Sequence, residues 1–505
     1  MSSSSLRYAF LILSCFLVIG MIWCAGCTGS TAPAKTDKLN GFDDVVKGKM
    51  AEYQVPGAVV GIVENDTVVY LKGFGVREMG KPEKVDPDTR FQVASISKYI
   101  TATGIGTLVD EGKLDWDTPV VTYVKGFALK DTYAGEHATL RDLLTHRAGL
   151  KPYDGGLLGR VGYSNEEMLA KMRYLEPGAG FREKNQYSNA AFFIAGEVVA
   201  AADNRSWEDS TDARIIRPLN MTRSGAHYET LYLDENRYTG HWDTAGVLEI
   251  IPHEIDPLPA AGQVVSTGRD MTQFMRMMLN RGSIDGVRIL SPETVDAINA
   301  PSFVTGTPDR PQDRYILNAN GLGCNSFTFL GRRVVEKNGG LDGVRSLVVF
   351  VPEQNIGIVI IANKHMTQFP EAVEAEFLER YIGKSDVDMQ ARVKAAQIKI
   401  NEMVAPPERP VIPGPATISP SAIAGNYRSD LYGILQITPG ADDRNMTFVV
   451  GPGRYPGNLS HWTDDTWLLS FANPDDPAEI VMFTTGPSGS VTGMTADELG
   501  SFVRV

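Results

Sequence analysis

Ser346-Leu347-Val348-Val349-Phe350-Val351, then Pro352-Glu353-Gln354-Asn355, then the run Ile356 to Ala362, reads as two strands joined by a turn. A second hairpin stands near the start of the chain. There Pro56-Gly57 opens the apolar run Ala58 to Val63, Asn65-Asp66 turns it, and Val68 to Leu71 runs back. A helix is expected ahead of it, around Phe42 to Tyr53, and a long helical middle separates the two strand pairs. Strands at both ends with helices between predict an α+β domain, an antiparallel sheet flanked by a helical region and closed by both ends of the segment.

Beyond this domain the character changes twice. Residues 385–404 read as a polar helix, and Ala405-Pro406-Pro407-Glu408-Arg409-Pro410 onward to Pro420 carries too many prolines for a regular element. From 421 to 505, short alternating runs (Leu431 to Thr438, Asn445 to Val450, Thr466 to Phe471, Ile480 to Thr484) are separated by Gly, Pro, Asn and Asp, the pattern of a small antiparallel barrel or sandwich. The expected organisation is a signal or anchor over 1–27, a tether over 28–40, the α+β domain over 41–384, a helical and proline-rich linker over 385–420, and an all-β domain over 421–505.

Bulk properties exclude some functions. The net charge of -13 argues against nucleic-acid binding, which needs a basic surface. Of the four cysteines, Cys15, Cys24 and Cys27 fall in the first 27 residues, so the folded body holds only Cys324 and can form neither an internal disulfide nor a cysteine metal site. The seven histidines show no metal-ligand spacing, and His146 reads as a structural hydrogen-bonder. No metal or organic cofactor is expected. At the N-terminus, Arg7, the apolar run Tyr8 to Trp23 and Cys24-Ala25-Gly26-Cys27 read as an export signal. Two outcomes stay open: lipid attachment at Cys27, or an uncleaved transmembrane anchor. Both place the body outside the cytoplasm, tethered to the membrane.

Three short motifs carry candidate chemistry. In Phe91-Gln92-Val93-Ala94-Ser95-Ile96-Ser97-Lys98, a helix is expected to open at Ser95 and to stop at Gly112. Ser95 and Lys98, three apart, share a helix face, so the amine can act as base for the hydroxyl. The alternative makes Ser95 or Ser97 a helix cap and Lys98 a surface charge. Tyr187-Ser188-Asn189 precedes the helical run Ala190 to Ala202; taken alone it is a packed Tyr and a capping Asn. Glu336-Lys337-Asn338-Gly339-Gly340-Leu341-Asp342-Gly343 leads into the strand at Ser346. A cation beside glycines on an edge strand suits a substrate; a plain turn is the alternative. No Gly-x-Ser-x-Gly surrounds Ser95, so an α/β-hydrolase elbow is not indicated.

Taken together, in this order and context, the motifs are informative. The chain resembles the β-lactamase and penicillin-binding-protein superfamily, class C β-lactamases and their esterase and peptidase relatives above all. Lys337 to Lys364, with Phe350-Val351-Pro352-Glu353 and Ile361-Ala362-Asn363-Lys364, is similar to the carboxyl-terminal strands of that class. Leu140 to Leu150 and Ala260 to Thr267 are similar to further family segments, and the resemblance spans about residues 41–384. The tail from Gly425 to Val505 resembles a lipocalin-like barrel found on some of these hydrolases, either shaping access or acting as a passive appendage.

The resemblance implies a serine hydrolase working through an acyl-enzyme. Ser95 would be acylated, and Lys98 and Tyr187 would share proton transfer. Asn189 would bond the substrate amide or the Lys98 ammonium. Lys337 would hold positive potential near Tyr187, and the Ser95 and Gly340 N–H groups would form an oxyanion hole beside Gly339. The family's usual Thr is Asn338 here, so ester or D-amino-acid peptide substrates stand beside β-lactams. The rival expectation is a non-catalytic sensor that binds acyl-D-amino-acid groups or β-lactams without turnover. The partner is in either case a small molecule or peptide.

Overall fold

The computed structural model describes residues 37–152, 155–244, 246–253, 258–305, 318–404, 414–440, 445–473, 476, 478–496 and 499–505. The expectations for the signal, for the tether up to residue 36, for Cys15, Cys24 and Cys27, and for the proline-rich stretch 405–413 lie outside the described residues. Asp37–Leu39 forms one turn of 3-10 helix. Among the described residues no helix is long and apolar enough to cross a membrane.

An eight-stranded antiparallel sheet organises the first domain. Its order is Thr67–Gly75, Gly57–Glu64, Ile356–Ala362, Val344–Val351, Arg332–Leu341, Asn325–Phe329, Asn318–Asn320 and Phe303–Val304. The N-terminal hairpin thus pairs directly with the C-terminal one, Ala58 opposite Ala362 and Glu64 opposite Ile356. Gly57–Glu64 and Ile356–Ala362 are buried almost throughout because helices cover both faces. On one face Thr272 and Gly268 of the helix Gly268–Leu279 lie against Gly61 and Val59. On the other, Phe42 of the helix Phe42–Glu52 packs edge-on against Tyr70.

The helix Ile96–Asp110 is buried on all sides from Ile96 to Leu108. A helix this apolar on all sides belongs inside a domain. It ends where Gly112 takes a left-handed φ of 69°. Hydrogen bonds tie it to the segment Pro259–Ser266: the Val264 N–H donates to Ser97 Oγ at 3.0 Å, and Thr101 Oγ1 donates to the Ala260 carbonyl at 2.9 Å.

After the helix Met389–Val404, the chain enters a closed eight-stranded barrel, from Gly425–Ser429 to Gly500–Arg504, whose first and last strands pair. Closure decides between the barrel and sandwich expectations, and it removes both sheet edges. Trp467, Leu469 and Phe471 alternate into its interior. The barrel rests on residues 160–171 of the first domain. The Gly453 N–H donates to the Val161 carbonyl at 2.8 Å, Arg160 pairs with Asp476 at 2.9 Å, and Lys171 donates to the Asp430 carbonyl at 2.8 Å.

Candidate active site

Ser95 stands where the short strand Phe91–Gln92 turns into the helix Ile96–Asp110. The turn is made by Ala94, held at φ 50° in the left-handed region, a strained conformation for a residue with a β-carbon. Ser95 occupies the N-cap position, yet its side chain makes no capping hydrogen bond. The hydroxyl instead faces two other groups. Lys98 Nζ donates to Ser95 Oγ at 3.0 Å, and Tyr187 Oη donates to it at 2.8 Å. Lys98 is 1% exposed and also donates to the Ala261 carbonyl at 2.8 Å. The capping and surface-charge alternatives therefore do not describe Ser95 and Lys98.

Tyr187 arrives from 92 residues away and lies between two cations. Lys98 Nζ is 4.9 Å and Lys337 Nζ 5.0 Å from its ring centre. Lys337 is 4% exposed. Burial holds its ammonium below the ordinary lysine range; Tyr187 opposes that shift and Lys98 adds to it. Beneath Tyr187 sits His146, its ring 4.5 Å away, with Nδ1 accepting the Ser188 N–H at 3.1 Å. Burial, then the charges of Lys337 and Lys98, push its pKa well below the ordinary value, so the imidazole stays neutral. His146 is thus a hydrogen-bonding support.

Asn189 is the first residue of the helix Asn189–Asp203, and the cap is Ser188, whose hydroxyl accepts the Ala191 N–H. The expected capping Asn is displaced by one residue. Asn189 Oδ1 is buried and lacks a hydrogen-bond partner. It makes no bond to Lys98, and it remains an acceptor for an N–H brought by a substrate.

The strand Arg332–Leu341 completes the site. Lys337 and Gly339 share one of its faces, and Asn338 and Gly340 the other. Gly339 abuts the Ser95 turn: a β-carbon on it would stand 2.7 Å from the Ser95 nitrogen and 2.6 Å from the Val93 carbonyl oxygen. Ser346 Oγ donates to the same carbonyl at 2.7 Å and fastens the strand pair to the turn. Leu341 pairs with Val344 across the two-residue turn, so Gly340 opposite Arg345 is a non-hydrogen-bonded position. Its N–H points off the strand's other edge, past Asn325–Glu336 where the neighbouring strand stops pairing. That edge and the Ser95 N–H border the same space.

Sequence reasoning missed the Ala261 carbonyl, although Ala260 to Thr267 stood out as a segment. It read His146 as a structural hydrogen-bonder, as the Ser188 contact bears out, but not its place under Tyr187. Neither carries a local signal, since a carbonyl has no side-chain signature and a lone His is not diagnostic.

Comparison with known proteins bears on this arrangement. A family model described as Beta-lactamase matches residues 42–380. An unguisins hydrolase from Aspergillus campestris is 27% identical over 340 residues, covering 64% of this chain and 61% of the relative. Protein flp from Staphylococcus aureus is 25% identical over 349 residues, 67% of this chain and 66% of the relative. The chain thus spans about three fifths to two thirds of the length of these relatives. The octameric penicillin-binding protein homologue from Pyrococcus abyssi shares the fold with a TM-score of 0.61 at 22% identity, over 93% of this chain and 100% of that one.

Proposed function

The chain belongs to the Beta-lactamase family, and from that premise we propose that it is a serine hydrolase in which Ser95 is transiently acylated. One observation carries the reading: Ser95 Oγ accepts hydrogen bonds from both Lys98 Nζ and Tyr187 Oη. A serine hydroxyl attacks a carbonyl only when a base takes its proton. Either neighbour takes it from the position seen, once itself deprotonated, and the other returns a proton to the leaving group. Lys98 and Lys337, 4.9 and 5.0 Å from the Tyr187 ring centre, keep two cations beside that proton-transfer group. The Ser95 and Gly340 N–H groups receive the negative charge that builds on the carbonyl oxygen. Water then attacks the Ser95 ester, with Tyr187 as base, and frees the acid. Asn189 Oδ1 accepts the amide N–H of the acyl donor.

Substrates of this reading are esters, amides, D-amino-acid peptides and β-lactams. A relative named as a hydrolase supports hydrolysis as the outcome. The test is intact-mass measurement after treatment with a fluorophosphonate, with nitrophenyl ester turnover alongside. Stoichiometric labelling lost in Ser95→Ala, with many turnovers by the wild type, is expected. Lys98→Ala is expected to remove turnover and to keep the melting transition. Labelling without turnover would favour a sensor. We also propose export and membrane tethering through residues 1–27, which rests on the sequence alone; loss of lipid labelling in Cys27→Ala would separate lipid attachment from an uncleaved anchor.

A further inference from the structure

Arg345 lies beside the reacting edge. It pairs with Gly340 across the strands, and its Nη1 stands 3.4 Å from where a Gly340 β-carbon would be. Gly340 itself is exposed, so the strand beside this guanidinium is open to solvent. A carbonyl oxygen taken up between the Ser95 and Gly340 N–H groups would bring its molecule against Gly340, whose β-carbon position lies 3.4 Å from Arg345 Nη1. An arginine there is a natural receptor for a terminal carboxylate.

That arginine is already engaged. Its Nη2 donates to Oε1 of Glu371, from the helix Phe369–Tyr381, and the two side chains are only 16% and 15% exposed. The other Glu371 oxygen is buried without a hydrogen-bond partner. Among the described residues Arg345 is the cation that neutralises this carboxylate. Drawing Arg345 away would leave Glu371 buried and unpaired, a strongly unfavourable state. Asp342, two residues past Gly340, adds a further negative charge, and its Oδ2 is likewise buried and unmatched. His365, nearby, contributes no positive charge, because burial lowers its pKa. Among the described residues, Arg345 is thus bound by one carboxylate, Glu371, with a second, Asp342, two residues from Gly340.

We propose that Glu371, by holding Arg345, excludes a free carboxylate from the leaving side of the substrate, so that the substrate is an acyl donor with a neutral leaving group: an ester, an amidated end or an internal peptide bond. The inference rests on Ser95 being the nucleophile. A carboxylate at Nη1 would meet Glu371 across the same guanidinium and be repelled. A neutral carbonyl accepts the Nη1 hydrogen bond without that repulsion. Glu371 and Arg345 thus set specificity without touching the reacting atoms.

The experiment uses two benzoyl-D-alanyl thioesters that differ only in the leaving thiol, one bearing a carboxylate and the other the matching carboxamide. Attack by Ser95 forms the C–O bond and breaks the C–S bond, and the thiol released is read with a thiol reagent. Wild type is expected to favour the carboxamide by tenfold or more in kcat/KM. Glu371→Gln is expected to shrink or reverse this preference by tenfold, chiefly through KM for the carboxylate, and Arg345→Ala added to Glu371→Gln should cancel the gain. A wild type that prefers the carboxylate, or treats both alike, overturns the inference even if Glu371→Gln fails to fold. Absence of Ser95 acylation by either thioester and by the fluorophosphonate would instead remove the serine-hydrolase reading.

Discussion

Gly339 presses its α-carbon against the backbone of Ser95 so closely that an added methyl would stand 2.7 Å from the Ser95 nitrogen, with Val93 O and Ser346 Oγ each 2.6 Å away. The strand and the nucleophile turn are in register through this contact. Gly339→Ala is expected to push them apart and to lower kcat by about 100-fold, since misplacement on the order of 1 Å costs that much. The fluorophosphonate labelling rate at Ser95 should fall with it. Wild-type rates in Gly339→Ala would show that the contact does not position the site.

Asn338 stands one residue before that contact, where the resemblance expects Thr. Asn338→Thr is expected to raise turnover of nitrocefin several-fold, and more in combination with Glu371→Gln, which frees Arg345. An unchanged rate in both backgrounds would show that these positions do not limit β-lactam use.

His253 packs against Tyr238 with ring centres 4.4 Å apart. Burial, then Arg237, lowers its pKa from 6.5 to about 4. The folded protein thus keeps His253 neutral while the unfolded chain protonates it. The stabilisation is complete above pH 6.5 and is lost as pH falls toward 4. Its full extent is roughly 3 kcal/mol at most. Urea midpoints measured across this window should fall more steeply for wild type than for His253→Gln. Parallel slopes would rule out His253 as the source.

Arg160 and Asp476 join the first domain to the barrel, with side chains 19% and 10% exposed. Asp476 also accepts from Tyr455 Oη at 2.7 Å. Arg160→Ala leaves Asp476 buried without its cation and is expected to cost roughly 3–5 kcal/mol. Calorimetry should show the barrel and the first domain melting apart, where wild type melts once. A single unshifted transition would mean that the pair does not fasten the domains.

Several features were legible from neighbouring residues alone. Ser95 and Lys98 are three apart on one helix, so helix geometry brings them together wherever that helix lies. The two hairpins announce themselves by apolar runs around Asn65-Asp66 and Pro352 to Asn355, and buried central strands must be apolar. The alternating runs after residue 421 specify short strands with one face inward.

Only the tertiary structure decided the rest. Tyr187 meets Ser95 across 92 residues and Lys98 meets the Ala261 carbonyl across 163, and no local periodicity encodes such distances. They follow from how buried helices and strands close-pack, which depends on the whole core at once. The same holds for Glu371 on Arg345, His146 beneath Tyr187, closure of the barrel and its seat on Val161. Sequence patterns determine which face of each element is buried, because that depends on residues a few positions apart. Which side chains then touch is set by packing between elements far apart in the chain.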